Sequence, residues 1–211
     1  MPRSPILAAN YFRNNAEIIQ TCARLRFLKR TDWVLDPTYG RGLWWSLWEP
    51  RKMTFHDLAT DGIDFRNTGY ESHQFDAIAF DPPYVSVGGR ETTGIEEMYS
   101  RYGLSGAPTT PALLQALIND GLAEMHRLVK PRGIVITKAQ DYISSGELWS
   151  GTYFTEQFAR SIGYKVVEKF IHVRKSGGPQ PKNRTRKDGS RSRQVHARHN
   201  ASIMFVFRSA R

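Results

Sequence analysis

Cysteine is almost missing from this chain: Cys22 stands alone among 211 residues. One thiol can close no disulfide and build no cysteine zinc site, which suits a reducing, cytoplasmic setting. Long apolar runs are missing too, and the first residues carry no signal-peptide core. Neither a membrane span nor a secretory leader is therefore expected. No segment repeats, which removes solenoids. Acid is scarce beside base: 20 Asp and Glu face 30 Lys and Arg, and the resulting +10 points to a polyanionic partner. His126, His172, His196 and His199 lack metal-ligand spacing, so no metal is expected. These absences leave a soluble, basic, intracellular protein, long enough for one α/β domain over residues 1–211.

The most informative stretch present is the apolar run Phe75-Asp76-Ala77-Ile78-Ala79, which ends in Phe80-Asp81-Pro82-Pro83-Tyr84. Proline cannot donate to a strand ladder and restricts the residue before it, so the run reads as a buried strand stopped at its C-terminal edge. That edge is where a parallel sheet opens its ligand crevice. Asp81 supplies an acceptor-only carboxylate, Pro82 and Pro83 supply carbonyls without competing N–H groups, and Tyr84 supplies a flat face. Together they suit a planar group that carries an exocyclic amine.

Upstream, Asn14 or Asn15 caps a helix whose stripe is Ile18, Ile19, Cys22, Leu25 and Phe27-Leu28. Trp33 to Asp36 is a short buried strand. It feeds Pro37-Thr38-Tyr39-Gly40-Arg41-Gly42 and then an apolar helix start, the first βα unit of a doubly wound sheet. Gly40 and Gly42 permit close backbone approach, although Trp45 breaks the dinucleotide fingerprint and disfavours a nicotinamide enzyme. Met53 to His56 forms the second strand. Asp57 at its end can accept from ribose hydroxyls or remain a solvated loop acid.

Downstream, residues 85–108 hold five glycines and no sustained period, together with Arg90, Tyr99, Arg101 and Tyr102, as expected of an active-site loop. Thr110-Pro111 starts the clearest helix, with Leu113, Leu114, Leu117, Ile118, Leu122, Met125 and Leu128 at helical spacing as its core face. Lys130-Pro131-Arg132-Gly133 reads as a turn, followed by the strand Ile134 to Thr137. A helix over residues 152–162 and strands over 165–174 and 201–207 complete the chain. Between those strands, residues 174–199 carry nine Lys or Arg against the single acid Asp188, so +8 of the total +10 lies here. A solvated face is the alternative, but a nucleic-acid grip explains this basic insertion better. Its candidate contacts are Lys175, Lys182, Arg184, Arg186, Lys187, Arg191, Arg193 and Arg198.

The stretch Asp81-Pro82-Pro83-Tyr84 resembles the Asp-Pro-Pro-Tyr motif of S-adenosylmethionine-dependent amino-methyltransferases, the small DNA-modifying kind of bacteria and their viruses. Asp36-x-x-x-Gly40-x-Gly42 resembles the cofactor loop of the same superfamily, with Thr38 where the family commonly has Phe. The order of motifs, down to His199-Asn200 before the last strand, follows the family over most of the chain. The resemblance implies an α/β, Rossmann-like class I methyltransferase fold: a mostly parallel doubly wound sheet with an antiparallel C-terminal strand. It implies S-adenosyl-L-methionine as cofactor, with Asp36, Pro37, Thr38, Tyr39, Gly40, Gly42 and Asp57 around it, and Asp64 with Phe65 at its adenine edge. It implies catalysis by Asp81, Pro82, Pro83 and Tyr84 on a flipped base in DNA, adenine N6 before cytosine N4. RNA remains an alternative substrate. A non-catalytic nucleic-acid-binding protein on the same fold is the alternative from another class.

Overall fold

The computed structural model describes residues 7–9, 14–84, 110–173, 196–197 and 199–211. Six strands form one sheet in the order β2-β1-β3-β4-β8-β7. They are β1 (Trp33–Asp36), β2 (Lys52–Phe55), β3 (Phe75–Phe80), β4 (Val129–Ala139), β7 (Tyr164–Val173) and β8 (Ala201–Ser209). β1 to β4 pair in parallel, whereas β8 runs antiparallel to both neighbours, β4 and β7. The expected sheet, with its antiparallel C-terminal strand, is thus observed.

Burial alternates with the pleat, as a sheet covered on both faces requires. Leu35, Ile78, Phe80, Val135, Phe205 and Phe207 point to one layer, formed by α3 (Pro111–Leu128) and α4 (Gly151–Ser161). Val34, Ala77, Ala79, Ile136, Met204 and Val206 point to the other, where α1 (Asn15–Arg24) and the 3-10 turn Leu43–Trp45 lie. Both main helices start on side-chain caps. The Glu17 N–H donates to Asn14 Oδ1 at 2.9 Å, and the Leu113 N–H donates to Thr110 Oγ1 at 3.2 Å, with Pro111 in the first turn. The Ile171 N–H of the outer strand β7 donates to Ala9 O at 2.9 Å, so the N-terminal arm touches this edge of the sheet.

Four local expectations change. The apolar helix after Gly42 is one 3-10 turn, because Trp44 and Trp45 turn directly into the core. Lys130-Pro131-Arg132-Gly133 belongs to β4 rather than to a separate turn. Arg132 takes φ +64°, and the pairing register with β3 shifts here, so a bulge absorbs the irregularity. Leu113 and Leu25 lie outside the core, 56% and 40% exposed, on the solvent side of their helices. A hairpin, β5 (Tyr142–Ser144) with β6 (Glu147–Trp149), stands between β4 and α4 where no strand is expected. Its turn residues Ser145 and Gly146 both take positive φ, the geometry that lets a two-residue turn follow strand twist.

β1, β2, β3, β4 and β7 all point the same way. Their C-terminal ends therefore bring residues 37–42, Asp57, 81–84, 138–141 and Val173 to one edge of the sheet. β8 starts at that same edge. The residues that flank segment 174–200, Val173 and Ala201, pair at this same edge, with β4 between them and the Asp81 loop.

Candidate active site

The edge is built around one buried carboxylate. Asp36, 4% exposed, accepts from Trp45 Nε1 at 2.7 Å through one oxygen and from the Thr38 N–H at 3.0 Å through the other. Burial pushes its carboxyl up to about 7, against the opposing pull of the Trp45 and Thr38 donors, while nearby Asp81 adds to the rise. Asp36 thus braces the glycine loop from beneath. Thr38 continues the chain of bonds, since its Oγ1 accepts from the Asp81 N–H at 2.8 Å. The glycine loop and the Asp-Pro-Pro-Tyr loop are therefore stitched together through the Thr38 hydroxyl.

Gly40 and Gly42 take φ of +53° and +67°, the left-handed region that glycine occupies without strain. At Gly42 a Cβ would also sit 2.5 Å from the Tyr39 hydroxyl. Tyr39 stacks on Phe55 with ring centroids 4.3 Å apart. Asp57 stands two residues past β2, which spans Lys52–Phe55 where Met53 to His56 was expected. One oxygen accepts from the Gly40 N–H at 3.0 Å and the other caps α2 (Leu58–Asp61) by accepting from the Ala59 N–H at 2.9 Å. Each oxygen keeps a lone pair, so Asp57 is held rigidly and can still accept from a hydroxyl.

The pair expected at an adenine edge is placed otherwise. Both Asp64 oxygens lie 3.0 Å from Arg66 Nε in a forked ion pair, which holds the Asp64 carboxyl below its ordinary range. Phe65 is a core residue, 2% exposed, set edge-on to Phe80 at 5.2 Å. An aromatic side chain buried to that degree has no face left for a ligand. Asp61 lies at the surface in a pair with His56 at 2.7 Å.

Asp81 follows Phe80 directly, Pro82 and Pro83 are buried, and Tyr84 is half-buried. Tyr84 lines a tight gap with no space for a water-sized molecule, walled by Leu114, Ile118, Ala139, Tyr142 and Trp149. Behind it lies a residue whose role the sequence hid. Lys138, 1% exposed, places its ammonium 5.2 Å from the Tyr84 ring centroid and donates to Asn15 Oδ1 at 3.1 Å. A cation at that distance attracts the ring face, so Lys138 ties Tyr84 to the start of α1. Its one sequence signal was a lysine closing an apolar strand at the ligand edge. Gln140 and Asp141 serve structure instead. Gln140 Nε2 donates to His199 O at 3.1 Å, and Asp141 accepts from the Thr152 N–H at 2.9 Å at the start of α4.

Residues 85–108, expected to form an active-site loop, and the basic residues Lys175, Lys182, Arg184, Arg186, Lys187, Arg191, Arg193 and Arg198 lie outside the described residues. Among the described residues no group of three or more His, Cys, Asp or Glu side chains can hold a metal ion. No described helix is long and apolar enough to cross a membrane.

No protein-family model matches the chain, and no curated protein does. Among solved structures, a candidate methyltransferase from Bacillus halodurans is similar over 92% of this chain and 98% of its own, at 11% identity and TM-score 0.54. The chain has the Rossmann-like methyltransferase fold. Weaker likenesses include a candidate DNA modification methylase from Thermus thermophilus complexed with S-adenosyl-L-methionine, at 11% identity and TM-score 0.45, covering 84% of this chain and 55% of the other. TrmN from Thermus thermophilus shows 14% identity and TM-score 0.48, covering 93% of this chain and 50% of its own. The chain thus spans about half the length of these Thermus proteins.

Proposed function

We propose that the protein transfers a methyl group from S-adenosylmethionine to the exocyclic amine of a flipped base in DNA, with adenine N6 as the acceptor. The observation that carries this reading is the 2.8 Å bond from the Asp81 N–H to Thr38 Oγ1, which fixes the planar-amine motif against the glycine loop. Asp57, rigid and with acceptor capacity left, fits the ribose of the cofactor, while Gly40, where an added Cβ would meet nothing closer than Asp57 Oδ2 at 3.8 Å, leaves room for it beside the backbone. Bound there, the cofactor supplies a methyl group already activated on a sulfonium. The protein's share is then positioning and electrostatics.

A base inside a duplex is out of reach and has to be extruded, at a cost of a few kcal/mol. Tyr84 offers its ring to the extruded base, and base–aromatic stacking contributes about 1–3 kcal/mol. Lys138 fixes that ring from behind. The Asp81 carboxylate and the Pro82 carbonyl accept hydrogen bonds from the amine, which draw its lone pair out of ring conjugation and aim it away from them. Asp81 need not be strongly basic, because the amine proton becomes acidic only as the new N–C bond forms. The basic segment, whose two ends meet at this edge, supplies the cations for the phosphates.

Asp81→Ala tests the catalytic role. Cofactor affinity measured by calorimetry should stay within a few-fold of wild type while methyl transfer is lost; a variant that still turns over contradicts the role.

A further inference from the structure

The hairpin and the first turn of α4 carry a cluster of aromatic residues that the reaction just described does not use. Trp149 and Phe154 lie 4.7 Å apart at 35°, and Tyr153 meets Phe154 edge-on at 5.5 Å. Tyr153 is 57% exposed, Phe154 39% and the adjoining Leu148 52%. The fold does not require them there, since the hairpin meets the core through Tyr142 and the inner side of Trp149. Trp149 also lines the tight gap beside Tyr84, so the cluster adjoins the residue that offers its ring to the target base.

Charge indicates the occupant. His196 Nε2 donates to Gly146 O at 2.7 Å, so the returning end of the basic segment is fastened to the hairpin's own turn. The sequence between Val173 and His196 carries eight Lys or Arg against Asp188 alone. Exposed rings on a hairpin to which a cation-rich stretch of sequence is tethered combine base stacking with phosphate attraction, the two needs of an unpaired strand. A closed duplex turns only base edges outward and has no ring faces to offer such a surface.

We propose that Trp149, Tyr153 and Phe154 form a stacking platform for the unpaired nucleotides next to the methylated base. The preferred substrate is then single-stranded or locally unpaired nucleic acid rather than a continuous duplex. This rests on the reading above for the class of partner, and adds the strand state. The target base reaches Tyr84 already free of its pair, and its neighbours lie against the platform.

The test uses the full chain, the double variant Tyr153→Ala/Phe154→Ala and the conservative pair Tyr153→Phe/Phe154→Tyr. Each is titrated with one DNA sequence as a single strand, as a blunt duplex and as a duplex with one bulged adenine, and with the matching RNA single strand. 2-Aminopurine replaces the nucleotide beside the target. The wild type should favour the single strand and the bulged duplex over the blunt duplex, and should quench the reporter. The alanine pair should lose about tenfold or more in single-strand affinity, consistent with a lost stack. It should also lose the quenching, while keeping the same salt slope and cofactor affinity. The conservative pair should keep both signals, and the tighter of the DNA and RNA strands identifies the preferred sugar.

Equal affinity for single strand and blunt duplex in the wild type overturns the proposal. So does an alanine pair that binds the single strand as wild type does. Unchanged nucleotide binding with an altered sedimentation coefficient assigns the face to a second copy of the chain, and also overturns it. The two readings fail separately. Methyl transfer with a silent platform removes the platform alone, whereas platform-dependent strand binding without transfer to any nucleic acid removes the catalytic reading and leaves the platform.

Discussion

Asp36 and Thr38 carry the most consequence per atom at this edge. Asp36 has an ordinary value near 3.8 and is raised by burial to about 7 in the folded protein. Between those limits the folded state holds a proton that the unfolded chain has released. Unfolding free energy should therefore fall as pH rises from about 4 to about 7, and level off above. Urea unfolding across that window checks the slope, and Asp36→Asn should flatten it. Thr38→Val removes the acceptor of the Asp81 N–H while keeping the volume. It should lower kcat about tenfold or more with cofactor affinity nearly unchanged, since a misplaced reacting group costs rate before binding. Thr38→Ser should restore the rate; a valine variant with wild-type kcat contradicts the stitch. Residue types at this scale were legible, whereas partners were not. Asp36, Thr38 and Asp81 all stood out as candidates, but their bonds span as many as 43 positions, and Lys138 acquires its role only through Asn15, 123 positions away.

Among the elements, α3 shows how the motif is held from below. Gly121 sits mid-helix, where replacement by Ala ordinarily gains about 1 kcal/mol. Here a Cβ would lie 2.4 Å from Phe80 Cζ and 2.9 Å from Phe65 Cδ2. Gly121→Ala should instead destabilise by about 1–3 kcal/mol through overpacking. Because Phe80 precedes Asp81, it should also reduce methyl transfer. Chemical denaturation and rate measurements on the same variant check both, and a more stable variant contradicts the packing. Strands that are continuous apolar runs, such as 33–36 and 134–137, were readable because both faces of the sheet are covered. The helices were readable from Asn14 and Thr110 at their starts. The β5–β6 hairpin was not, because three-residue strands give too little alternation. The 130–133 bulge was not, because Pro and Gly signal a turn whether or not a neighbouring strand pairs through it.

Across the whole molecule, one edge of the sheet gathers what the proposed reaction needs. The glycine loop and Asp57 lie on one side, Asp81 to Tyr84 in the centre, and the roots of the basic segment on the other. Their convergence follows from topology: parallel strands bring their C-terminal loops together, and the antiparallel β8 returns the chain to the same place. The sequence showed the parts and their order, while the strand order that makes them neighbours comes from the assembled sheet. The central claim is that this edge methylates a base amine in nucleic acid. Incubating wild type and Asp81→Ala with methyl-labelled S-adenosylmethionine and separate DNA and RNA substrates, then digesting to nucleosides for mass spectrometry, tests it most directly. The wild type should place label in N6-methyldeoxyadenosine, and Asp81→Ala should place none. Absence of label from every nucleoside, or equal label from the variant, would contradict it.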